Sequence, residues 1–148
     1  MTRTGKVLTT SFVLLAAVMA VTRIEAKRIR QALPPAVSSL ETAKAVEIKD
    51  ASGKAILSGS FTKSSQTNSE IELTALLASS GIDPDANGKA EIEIVKNGDV
   101  TTKQELEVML KNLAGAASFK LFVDGKEFAT FTTDKSGNAD LKFSSKHP

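Results

Sequence analysis

Over much of the second half of this chain apolar residues fall on every second position, and that spacing restricts it to strands. In residues 104–143, Leu106, Val108 and Leu110 are followed by Phe119, Leu121 and Val123, and then by Ala139, Leu141 and Phe143. A period of two sends one set of side chains to one face of an extended backbone. Between the runs stand Asp124-Gly125 and Asp134-Lys135-Ser136-Gly137. These residue types supply the positive backbone angles and Asp-to-backbone hydrogen bonds of tight hairpins. The pattern predicts a β-meander with Glu105, Glu107, Lys120 and Lys142 on its wet face. Its apolar face then needs a second layer, built from residues before 104.

The earlier sequence supplies that layer. Val46 and Ile48 alternate with Glu47 and Lys49, the chain turns at Asp50-Ala51-Ser52-Gly53, and Ala55, Leu57, Gly59 and Phe61 resume the period. Residues 63–69 hold no apolar side chain and read as a loop. Ile71, Leu73, Ala75 and Leu77 predict another strand, with a helix over the same residues as the competing reading because Leu76 interrupts the alternation. A turn at Gly81-Ile82-Asp83-Pro84-Asp85-Ala86-Asn87-Gly88 leads to Ala90, Ile92 and Ile94, closed by Asn97-Gly98. Residues 104–113 also admit two readings. Thr102 with Glu105 fits a helix capping box, and Leu106, Met109, Leu110 and Leu113 share a helical face. The strand is favoured because its neighbours are strands. The expectation is an all-β, antiparallel β-sandwich, Ig-like in layout, or an open barrel, of about seven to eight short strands.

At 148 residues there is room for one domain. Its N-terminus carries Arg3 and Lys6 ahead of an apolar run at 12–21 and a short polar stretch ending in Ala26, the three-part pattern of a secretory signal peptide. The run is shorter than the roughly 20 apolar residues of a membrane span. The predicted division is a signal peptide at 1–26, a flexible tether at 27–44 around Pro34-Pro35, and a domain at 45–148. Cleavage after Ala20, or retention of the leader as an anchor, stays open. A leader predicts a secreted or periplasmic protein with no membrane span after cleavage.

All four arginines, Arg3, Arg23, Arg28 and Arg30, lie early. Without residues 1–26 the 19 basic and 17 acidic residues lose Arg3, Lys6, Arg23 and Glu25, leaving 16 of each sign. A neutral domain argues against nucleic acid as a partner, since phosphate affinity needs surplus Lys and Arg. The chain has no cysteine, so disulfides, thiolate nucleophiles and cysteine zinc sites are excluded. It has no Tyr or Trp either, which removes the usual stacking platforms for sugars and bases.

One turn pattern recurs at Asp50-Ala51-Ser52-Gly53, Asp85-Ala86-Asn87-Gly88 and Asp134-Lys135-Ser136-Gly137, each with Ala two residues after the Gly. It predicts a type I turn whose Asp caps backbone N–H groups and whose Gly is left-handed. Further, Leu73-Thr74-Ala75-Leu76-Leu77, Gly88-Lys89-Ala90-Glu91 and Glu105-Leu106-Glu107-Val108 with Asn112-Leu113 together resemble bacterial secreted β-sandwich proteins of the CHRD (chordin-like) type. The resemblance covers the C-terminal half and implies the fold and an extracytoplasmic address. The histidine pair usual in such domains is missing, since the matching stretch is Ser118-Phe119-Lys120-Leu121-Phe122. No metal or ligand role is carried over with it.

For chemistry, Asp83, Asp85 and Asn87 place oxygens at alternate positions before Gly88, as a calcium loop begins. The twelfth position, which an EF-hand fills with a bidentate acid, is Ile94, and the alternative is a polar hairpin turn. Glu91, Glu93, Glu105 and Glu107 would share one exposed face if their strands are antiparallel neighbours, and like charges facing each other need a cation or lysine between them. Lys89, Lys96, Lys103 and Lys111 flank them. His147, the sole histidine, stands next to the C-terminus, a poor place for a fixed general base. No catalytic or cofactor-binding residue is assigned, and calcium is the single cofactor candidate. The expected function is a secreted, non-enzymatic module with a structural, adhesive or protein-binding role toward an unknown protein or cell-surface partner. The alternative is a small extracytoplasmic calcium- or ligand-binding protein.

Overall fold

The structure is a computed structural model describing residues 28–35 and 37–146. The leader expected at 1–26 and His147 lie outside the described residues. Ten strands follow in order: β1 (Ile29–Ala32), β2 (Ala45–Asp50), β3 (Ala55–Ser60), β4 (Thr62–Gln66), β5 (Glu70–Ser79), β6 (Asn87–Asn97), β7 (Val100–Lys111), β8 (Ser118–Val123), β9 (Lys126–Thr132) and β10 (Ala139–Ser144). The described residues contain no helix, so the fold is all-β as the alternation predicts. Both disputed segments, β5 and the part of β7 over 104–111, are strands.

Hydrogen bonding runs through one mixed sheet in the order β1-β10-β7-β6-β5-β3-β2-β8-β9, with β4 paired to β5 beside this path. Strand β5 pairs with β6 along one edge, while its other edge takes β4 at Ile71 to Thr74 and β3 at Ala78 and Ser79. Where the sequence predicts a two-layer antiparallel sandwich, the described strands instead form one continuous curled sheet that runs through β5, and its β1–β10 pair is parallel. The sheet curls so far that Phe128 of β9 meets Phe143 of β10 edge-on, with ring centroids 4.9 Å apart. Favourable aromatic pairs of this geometry close the curled core opposite β5.

The strand count exceeds the expected seven to eight because two strands lack an apolar period. Strand β4 falls in the segment read as a loop, and all five of its residues are exposed. Its support is backbone pairing with β5 plus polar side chains, Ser64 Oγ donating to the Glu72 carbonyl at 3.3 Å and Thr74 Oγ1 to Ser64 Oγ at 3.1 Å. Strand β1 lies in the segment read as a flexible tether and pairs in parallel with β10. Further along that segment Leu40 is only 1% exposed, its N–H donating to Gln104 Oε1 at 2.7 Å. A single leucine carries no periodicity, so its burial is invisible in sequence.

The period of two also breaks where the core needs it to. Register shifts leave one extra residue at Ile56 on β3, at Thr102 on β7 and at Phe128 on β9. A bulge of this kind lets neighbouring residues face the same way. Ile56 and Leu57 are both buried, and Phe128 and Phe131 point inward although three positions separate them. Thr102, read as a helix cap, instead donates from Oγ1 to the Val95 carbonyl across its bulge at 3.2 Å.

Candidate functional site

Two of the three recurring turns share one geometry. In the first, Asp50 Oδ1 accepts from the N–H groups of Ser52 at 2.9 Å and Lys54 at 3.0 Å, and Gly53 has φ of +87°. Its carboxyl is held below the ordinary range, chiefly by the Ser52 hydroxyl and then by the Lys54 N–H. In the second, Asp134 Oδ1 accepts from Ser136 and Asn138, each at 2.9 Å, and Gly137 has φ of +80°. The Asp85 copy departs from the pattern: Gly88 is the second residue of β6 and has no positive φ, and Gly81 takes the left-handed position of that connection at +100°. Gly88 is drawn into the ladder opposite Leu77 and Leu110, and a Cβ there would lie 2.8 Å from both Leu110 Cδ2 and the Met109 carbonyl oxygen.

Asp83 and Asp85 thus sit on the β5–β6 connection, and Asn87 opens β6. The Asp83 carbonyl accepts from Ser79 Oγ at 2.5 Å and from the Ala86 N–H at 3.2 Å. The Asp85 carbonyl accepts from Asn87 Nδ2 at 3.1 Å and Asn112 Nδ2 at 3.4 Å. These contacts, with Ala86 only 3% exposed, describe a hairpin connection pinned to the end of β7. Among the described residues no group of three or more acidic or histidine side chains is arranged to hold a metal ion.

The glutamate face is assembled as its spacing allows. Antiparallel register puts Glu91 opposite Glu107 and Glu93 opposite Glu105, and Glu72 of β5 joins the row opposite Glu93. With Leu73, Thr74 and Ile92 they line a shallow groove of about 130 Å³. Repulsion is relieved by interleaved cations. Lys103 Nζ lies 3.1 Å from Glu93 and 3.2 Å from Glu105, and Lys142 and Lys89 pair with Glu105 and Glu91. Burial opposes ionisation of both Lys103 and Glu105. Hydrogen bonds with Glu93 and Glu105 still raise the Lys103 pKa, and those from Lys142 and Lys103 lower that of Glu105. The result is a charge-compensated polar face.

Sequence reasoning missed Arg28, whose Nη2 donates to Glu107 Oε1 at 2.7 Å and Nε to Asp140 Oδ2 at 3.0 Å. Asp140, then Glu107, hold its proton more tightly than usual. The other oxygen of Asp140 is buried without a partner. No signal in sequence links residues 112 positions apart. No protein-family model, curated protein or solved structure matches this chain.

Proposed function

We propose that this chain is a secreted, non-enzymatic β-sandwich module that binds protein, in a structural or adhesive role, by accepting a partner strand along β9. In the sandwich, β1, β10, β7, β6, β5 and β4 form one layer and β3, β2, β8 and β9 the other. The contact of Phe128 with Phe143 between those layers supports this division. The leader pattern at 1–26 supports the extracytoplasmic address.

The observation that carries the reading is the outer edge of β9. Among the described residues β9 pairs with β8 alone. Proteins guard such edges with charge, proline, short length or bulges. Here Lys126, Glu127 and the bulge at Phe128 guard only the first part. The remainder, Ala129-Thr130-Phe131-Thr132, has neither charge nor proline. An added strand gains main-chain hydrogen bonds there, and side-chain fit selects it.

The test is selection from a library of extended peptides, followed by binding to Thr130→Lys/Thr132→Lys. Enriched peptides should alternate apolar and polar residues and lose at least tenfold in affinity for the double variant, because charge at an edge blocks pairing. No enrichment, or equal binding by the variant, sinks the reading. Calcium added during thermal melting separates it from the ligand-binding alternative: a rise in Tm that Asp85→Ala abolishes would favour the latter.

A further inference from the structure

We propose that β1 leaves its groove beside β10 and is replaced there by β1 of a second copy of this chain, giving a reciprocally strand-exchanged dimer. This edge, at β10, lies at the opposite end of the strand order from β9.

Strand β1 is weakly held by the backbone and specifically held at one end. It makes a parallel ladder of four residues in a sheet whose other pairings are antiparallel. Parallel pairing is slightly the weaker kind per residue. None of its four residues is fully buried and Ile29 alone of them packs against the core, so its departure uncovers little apolar surface. Arg28, by contrast, is clamped by Glu107 of β7 and Asp140 of β10. The groove thus fits an extended segment that begins with arginine and turns Ile29 toward the core, and every copy of the chain carries that segment.

The hinge suits exchange. Leu40 stays anchored through Gln104, and Glu41 stays paired with Lys96 at 2.8 Å, so residues 33–39 alone need to open. In the closed form the Val37 N–H donates to the Pro34 carbonyl at 3.0 Å, a contact that opening would release. Leu33 and Pro34 each precede a proline and are biased toward extended backbone. Opened, seven residues reach roughly 23–25 Å. Exchange repeats every contact in the partner molecule under two-fold symmetry, the condition for a closed dimer.

The natural chain has no cysteine, so placed thiols report the exchange directly. Arg30 and Lys142 are register partners. Chains bearing Arg30→Cys and Lys142→Cys singly, with different mass tags, are mixed at high concentration, warmed to just below Tm, cooled and oxidised. Exchange predicts a disulfide-linked heterodimer at least tenfold above that from Ser52→Cys mixed with Lys142→Cys, Ser52 being exposed in the β2–β3 turn. Carrying both substitutions in one chain, oxidised before mixing, locks β1 in place and should leave only monomer in sedimentation. A heterodimer yield no greater than the control overturns the proposal. So does a dimer that persists with β1 locked.

Discussion

Two glycines in the same kind of turn should respond differently to the same substitution. Gly53 and Gly137 both have left-handed backbones, but a Cβ on Gly53 meets open space, whereas one on Gly137 would lie 1.8 Å from the Leu113 carbonyl oxygen. Gly53→Ala should cost about 1–2 kcal/mol, the penalty of the left-handed conformation alone. Gly137→Ala should cost at least about twice that by denaturant unfolding, since the β7–β8 corner must also move. Equal losses would show that the corner yields. The glutamate face makes a second prediction, through pH. Glu105 has a side chain 12% exposed, and its folded pKa lies below the ordinary 4.5. Its pairing therefore stabilises fully above 4.5 and is lost as pH falls through the folded value. Glu105→Gln should lower stability by about 1–2 kcal/mol at neutral pH. The gap to the natural chain should close in acid. A gap independent of pH would mean that packing, not charge, is what the substitution removes.

At the scale of elements, strands were legible wherever a buried face repeats, and β5, β6, β7, β8 and β10 follow their alternation closely. Strands β1 and β4 were not, because their support is backbone pairing with a neighbour and no residue of either is buried. The link between the two corners flanking β8–β9 was equally hidden. Thr133 is the one buried polar residue among those described, 4% exposed, and its Oγ1 donates to the Ala114 carbonyl at 2.6 Å while accepting from the Ala117 N–H at 3.1 Å. Thr133→Val keeps the shape and strands both groups. It should cost about 1–3 kcal/mol, the penalty for buried polar groups left unpaired. A loss no larger than that of Thr130→Val, on exposed β9, would show that the corners hold without this link.

For the whole molecule, the segment between β1 and β2 is the informative one. Leu40 joins the same core as Val46, Leu57, Leu106 and Phe143. Leu40→Ala should therefore destabilise by about 2–5 kcal/mol in denaturant unfolding, as for other buried leucines. A tether would give no measurable change. The amino-acid order by itself determined the extended character of the chain, which face of most strands is dry, two Asp-capped turns, and the glutamates that share a face. Each is a local property, written in the spacing of residues a few positions apart. Tertiary structure alone decided the order of strands in the sheet, the burial of Leu40, the bulges at Ile56 and Phe128, and the clamp on Arg28. The reason is physical: a backbone in the β conformation leaves its N–H and C=O groups to a neighbour, and nothing in a strand's own residues names which neighbour that is.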